Sequence, residues 1–153
     1  MNRGDLTDAS STISAGRLLA LDLGEKRVGV AVCDEMRVTV RPLSFLPRTN
    51  WKELLRAVRE LVQGFDAQGL VIGLPLNMDG TDGPAAKEAR RLGGSFELSL
   101  RVPVHLQDER LSSHSAEEAL RAAGHSDADF RKRVDSEAAA LILRDFLAKL
   151  AEP

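Results

Sequence analysis

The run Leu18-Leu19-Ala20-Leu21-Asp22-Leu23-Gly24-Glu25-Lys26-Arg27-Val28-Gly29-Val30-Ala31-Val32-Cys33 decides how this chain begins to fold. Leu18 to Leu23 is apolar except at Asp22, as expected of a strand covered on both faces. Gly24-Glu25-Lys26 makes a turn, and Val28 to Cys33 a second strand. Val38 to Leu46 continues as a third, where Pro42 asks for a sheet edge or a bulge, because proline cannot donate to a ladder. Strand, short turn, strand, strand predicts an antiparallel meander.

Beyond the meander the period changes. Asn50 is placed to cap a helix and Glu53 to complete a capping box, after which Leu54, Leu55, Val58, Leu61 and Val62 recur at helical spacing. Gly69 to Leu74 is a short buried strand. Pro75 to Gly83, with its Asn, Asp, Gly and Thr, is a functional loop. Pro84 suits a first helical position, and a helix to about Phe96 follows. Val102 to Leu106 is a fifth strand with Asp108-Glu109-Arg110 at its carboxyl end. Leu111 to Ala123 is a helix, Gly124 to Asp129 a loop, and Val134 to Leu150 a closing helix. This order predicts an α/β layered domain with a mixed five-stranded sheet, a three-strand meander plus two parallel strands, flanked by helices. Residues 17–150 form one domain and 1–16, polar and rich in Ser and Thr, a disordered leader.

Composition narrows the function. In 153 residues, 43% are apolar and 29% charged, an ordinary globular balance. A formal charge of -2 means that any positive surface for nucleic acid is local. Aromatics are 4% with no tyrosine, so stacking does not dominate recognition. A lone Cys33 excludes disulfides and cysteine-based zinc sites. With no apolar stretch of membrane-spanning or secretory kind, a cytoplasmic protein is expected.

Three acids then stand out. Asp22 lies inside a buried strand, where a carboxylate is costly unless it is paired or binds a metal; the plainer reading is a strand-end residue that positions Gly24. Asp135, Ala139, Ile142, Phe146 and Leu150 fall on one helical stripe that is apolar except at its first member, so Asp135 starts the face that packs on the sheet. A helix N-cap or first-turn acid would also explain it. Glu109 closes the fifth strand, pointing away from the face of Asp108; alone it would pass for an exposed strand end. Sites in open α/β sheets form beyond the carboxyl ends of strands, and two strand ends with an adjoining helix bring the three acids together. Their hard oxygens suit Mg²⁺ or Mn²⁺ and a two-metal hydrolysis of phosphodiesters. Competing motifs fail: His105, His114 and His125 lack HExxH spacing, and Ser112-Ser113 beside His114 lacks a glycine-flanked elbow.

Four segments, Leu19 to Gly24 with Val28 to Val32, Gly73-Leu74-Pro75-Leu76-Asn77-Met78-Asp79-Gly80-Thr81, Asp108-Glu109-Arg110-Leu111-Ser112, and Val134-Asp135-Ser136 with Ala138-Ala139, together resemble the YqgF/RuvX family from about Leu18 to Leu147. The resemblance implies a ribonuclease-H-like fold and a nuclease that processes the 5′ end of pre-16S ribosomal RNA, with cleavage of branched DNA as the alternative. It implies Asp22, Glu109 and Asp135 as metal-binding acids. Resolvase relatives carry another acid one helical turn before the last; here that position is Lys132, so the metal shell is one carboxylate short.

Positive groups adjoin each acid: Lys26 and Arg27 in the first turn, Arg110 beside Glu109, and Arg131-Lys132-Arg133 before Asp135. They are candidate phosphate contacts, or else solvated surface charges. Gly29 would permit close approach of a nucleic-acid backbone or mark a bulge. Asn77, Asp79 and Thr81 would contact substrate or satisfy their own loop. The expected partner is structured RNA or branched DNA, with a homodimer as a further expectation. An actin-like ATPase or sugar kinase needs two such halves. A catalytically silent nucleic-acid-binding module would have little use for all three acids.

Overall fold

The computed structural model describes residues 15–110 and 127–152, the side chains of 127–135 excepted. The elements run β1 (Leu18–Leu23), β2 (Arg27–Cys33), β3 (Val40–Pro47), α1 (Trp51–Phe65), β4 (Gly69–Leu74), α2 (Pro84–Leu100), β5 (Val104–Asp108) and α3 (Asp127–Ala151). The strands form one sheet in the order β3-β2-β1-β4-β5. β1, β2 and β3 pair antiparallel, while β4 and β5 extend the sheet in parallel with β1. The mixed meander-plus-parallel sheet expected from the residue pattern is the one observed.

Local chemistry sets the boundaries. Asp34 Oδ1 accepts from the N–H groups of Val38 and Thr39, so the turn holds Val38 outside the ladder and β3 begins at Val40. Pro42 sits on this edge strand, and the register with β2 shifts between Val28 and Val30, placing the irregularity at Gly29. Asn50 caps α1 by accepting from Glu53 N–H, but the Glu53 carboxylate pairs with Arg56, so only half of the expected box forms around it. Asp66 and Arg101 end α1 and α2 in the left-handed conformation. β5 lies two residues later than expected.

The last helix departs most from expectation. It starts at Asp127, inside the segment read as a loop, so Asp135 stands eight residues into a helix and is neither an N-cap nor a first-turn acid. The helix expected over 111–123 and residues 1–14 of the leader expected over 1–16 lie outside the described residues; Gly16, at the end of that leader, is described, and its carbonyl accepts from Arg37 Nε at 2.7 Å.

The sheet separates two apolar layers. Leu19, Leu21, Val28, Val30, Leu70 and Ile72 pack under α1 and α2. On the opposite face Leu18, Ala20, Ala31 and Val71 meet Ala139, Ile142, Leu143 and Phe146 of α3. Buried Ala138, Ala139 and Ala140 let that helix approach the sheet closely. Cys33 is buried there, its sulfur accepting from Leu18 N–H, and burial pushes its thiol pKa up. Among the described residues no helix is long and apolar enough to cross a membrane.

Ser136, 2% exposed, fastens α3 to the edge strand by donating to the Leu43 carbonyl. Ser136→Ala removes that buried donor and should cost about 1–2 kcal/mol. A urea titration should show a lower midpoint at an unchanged slope.

Candidate active site

Alternation along the strands sorts side chains between the two layers. Leu19 and Leu21 of β1 and Val104 and Leu106 of β5 belong to the α1/α2 layer, so Asp22 and Glu109 emerge on the face that α3 covers. Asp108 takes the other direction, where Arg110 pairs with it at 2.7 Å and holds its pKa below the usual carboxylate value. The two adjacent acids therefore divide as strand alternation requires.

Glu109 does not extend into solvent. Its N–H bonds to the Leu74 carbonyl, which fixes the chain just past β5 against the end of β4. The carboxyl group then lies over Gly73: a Cβ at that position would overlap Glu109 Oε2 and come within 2.6 Å of Ile142 Cδ1. Gly73 is thus a slot, floored by β4 backbone and closed by α3. Asp22 stands beside it, one step past the Leu21–Ile72 pair that joins β1 to β4.

Burial first, then the neighbouring charge of Asp22 and a hydrogen bond shared with it, push the Glu109 pKa up to about 8. Two carboxyl groups this close oppose each other's ionisation, which favours the protonated form of Glu109. Glu109 Oε2 is buried without a hydrogen-bond partner. The third acid, Asp135, lies in α3, but its side chain is outside the described residues. With Phe146 against His105, Ile142 over Gly73 and Ser136 on the Leu43 carbonyl, α3 crosses the sheet from β5 over β4 to β3, and Asp135 precedes Ser136 in the chain at that β3 end. Among the described residues alone, no three His, Cys, Asp or Glu side chains gather around one point.

The positive candidates are arranged differently from one another. Arg110 is held by Asp108 and donates to the Met78 carbonyl at 3.1 Å, latching the Pro75–Gly83 loop to the end of β5. Arg27 lies 5.3 Å from the centre of the Phe45 ring, and Lys26 is exposed in the hairpin turn. The side chains of Arg131, Lys132 and Arg133 are outside the described residues. Asn77 and Thr81 bond to each other, and Thr81 bonds to Asp79 through both its hydroxyl and its N–H. These three polar side chains are engaged in shaping their own loop. Gly29 lies opposite Asp22 in the β1–β2 ladder, so Asp22 has glycines on both neighbouring strands.

Two residues of this site escaped the sequence reading, Gly73 and Gln107. Their signals were a glycine inside a buried strand and a polar side chain sharing Glu109's alternation. Gln107 pairs with Gly73 across the β4–β5 ladder.

A family model described as "RuvX: Holliday junction resolvase" matches residues 16–149. The chain belongs to the RuvX family. A protein of Anaeromyxobacter dehalogenans (strain 2CP-C), named "Putative pre-16S rRNA nuclease", is 47% identical over 135 residues, covering 88% of this chain and 98% of that one. A Syntrophus aciditrophicus (strain SB) protein of the same name is 38% identical, covering 89% and 91%. Among solved structures, T. thermophilus RuvC in complex with a Holliday junction substrate superposes with TM-score 0.55 at 15% identity, covering 89% of this chain and 96% of that one. The fowlpox virus resolvase, in complex with Holliday junction DNA, gives 0.53 at 14%, covering 89% and 99%. These two likenesses show that this RuvX chain has the resolvase, ribonuclease-H-like fold.

The raised Glu109 pKa has a sign that can be checked. The folded protein holds this proton more tightly than the unfolded chain, so between about pH 4.5 and about pH 8 the group's contribution to stability falls as pH rises. In chelator, Glu109→Gln should melt above the wild-type RuvX chain at pH 8, by roughly 4 °C or more. The gap should close toward pH 5 in scanning calorimetry.

Proposed function

We propose that this RuvX chain is a metal-dependent nuclease that hydrolyses phosphodiester bonds in structured RNA, with the 5′ end of precursor 16S ribosomal RNA as its substrate. One observation carries the reading: a half-buried carboxyl pair, Asp22 and Glu109, at the carboxyl edge of the sheet, with the Glu109 Oε2 atom itself buried and unpartnered. Such a pair is unfavourable until a cation neutralises it, and its oxygen donors fit a hard divalent ion. The nuclease names of relatives at 38–47% identity give the same direction.

Asp22, Glu109 and Asp135 would hold Mg²⁺ or Mn²⁺. When bound, such ions supply the charge that makes water a nucleophile at neutral pH and offsets the charge of the scissile phosphate. The chain's own contribution is positioning. Gly73 leaves room for the Glu109 carboxyl group, and Ile142 closes the slot from above. Asp22 and Glu109 oppose each other's ionisation, and a bound cation would favour the ionised form of both. Arg110, fixed by Asp108 and the Met78 carbonyl, supplies a positive charge at the edge where a phosphate backbone would pass. Lys26, Arg27 and the Arg131-Lys132-Arg133 run would extend that contact on either side.

Cleavage of branched DNA is the second reading, favoured by the family's description as a Holliday junction resolvase. Purified protein with Mn²⁺ or Mg²⁺ should cut precursor-end RNA in preference to single-stranded RNA and four-way DNA. Cleavage of four-way DNA alone would transfer the assignment to the resolvase reading. Asp22→Asn keeps the side chain's size but loses its charge, and should lower cleavage by more than about 100-fold with the fold unchanged by circular dichroism. Near-normal activity of that variant would remove Asp22 from the machinery.

Replacing Arg131, Lys132 and Arg133 together with Ala should weaken substrate binding and flatten its dependence on salt, since fewer counterions are released. Fluorescence anisotropy across a salt series measures the slope. An unchanged slope would return the three to the solvated surface.

A further inference from the structure

Four positions form a row across the face that α3 covers. Gly29 on β2 stands opposite Asp22 on β1. Gly73 on β4 follows, one step past the Leu21–Ile72 pair, and Gln107 on β5 stands opposite Gly73. Neighbouring strands are about 4.8 Å apart, so the Gly73 slot is midway between Asp22 and Gln107. Glu109, one pleat further along β5, drops its carboxyl group into that slot.

Gln107 is 6% exposed, and its Oε1 has no hydrogen-bond partner. The same holds for Glu109 Oε2. His105, one pleat deeper, also has a buried unpartnered nitrogen, but its ring is spent against Phe146. A buried carboxamide oxygen without a donor is costly, and a methionine would fill the space without that cost. One orphaned oxygen in the slot and another on the residue that pairs with Gly73 share a simple remedy: a hydrated cation carries both positive charge and water hydrogens.

We propose that Gln107 is a further oxygen of the cation site, a neutral acceptor toward hydrated Mg²⁺ or Mn²⁺ alongside Asp22 and Glu109. This rests on the metal-dependent reading above and extends it to a residue that neither acid nor base chemistry would single out. A neutral oxygen adds to the shell without adding to the repulsion between the two carboxyl groups.

Calorimetric titration with Mn²⁺ at pH 8, paired with melting in chelator, tests the assignment. Gln107→Met should bind Mn²⁺ about tenfold more weakly. Its cation-free melting temperature should equal or exceed that of the wild type, because an orphaned polar atom is gone. Asp22→Asn serves as the reference. If Asp22→Asn weakens Mn²⁺ binding and Gln107→Met does not, this inference falls while the metal-dependent reading stands. If the wild type takes up no Mn²⁺, or Asp22→Asn binds as well as it does, both fall. A Gln107→Met protein with lower cation-free stability and unchanged Mn²⁺ affinity would make the carboxamide a packing residue. Should Gln107→Met fail to fold, Gln107→Glu gives the second arm: its added charge should tighten Mn²⁺ binding, and equal or weaker binding overturns the proposal.

Discussion

Asp22 and Glu109 approach one another across the end of β4 because nothing stands between them, and their mutual repulsion is the constraint around which the carboxyl edge is organised. Burial and the Asp22 charge together lift the Glu109 pKa to about 8. A carboxyl group so placed is held by its surroundings rather than by its own preference, since in water it would ionise near its ordinary value. Sites of this kind are where a fold gives up some stability to keep a charge pattern ready for a ligand.

The surrounding structure accommodates that cost in identifiable ways. Gly73 has no side chain, so Glu109 occupies its place, and Ile142 of α3 seals the slot. Gly29, on the other side of Asp22, keeps the row clear across β2. Asp108, one residue before Glu109, points the other way and anchors Arg110, which reaches the Met78 carbonyl. The Pro75–Gly83 loop is in turn braced by Asn77, Asp79 and Thr81, with Gly80 at positive φ. One strand alternation thus delivers Glu109 to one face and a loop latch to the other. The cores under both faces are ordinary packed apolar layers, and they are what make the edge rigid enough to hold two carboxyl groups together.

Much of this was legible in the residues. An apolar run broken only by Asp22 marks a buried strand with one polar side chain, because strand periodicity is local and strong. The separation of Asp108 from Glu109 follows from the same two-residue period. Less legible was α3: the polar stretch from Asp127 to Arg133 lacks an apolar stripe, so its helicity reflects the backbone continuing N-terminally from a packed helix, with no signal of its own. Asn77 and Thr81 looked equally suited to substrate and to loop geometry, and only their mutual hydrogen bond distinguishes what they do in this fold.

By itself the sequence determined the strand and helix periods, the mixed sheet, the membership of Asp22 and Glu109 in strand ends, and the family, since each depends on residues close in the chain or on motifs in fixed order. Tertiary structure alone decided that Gly73 is a receptacle for Glu109, that Gln107 joins the same row, and that Arg110 spans to the loop after β4. Those facts depend on the lateral register of β1, β4 and β5, strands separated by whole helices. Parallel register is set by how helices pack over the sheet, a non-local balance that no short stretch of residues encodes.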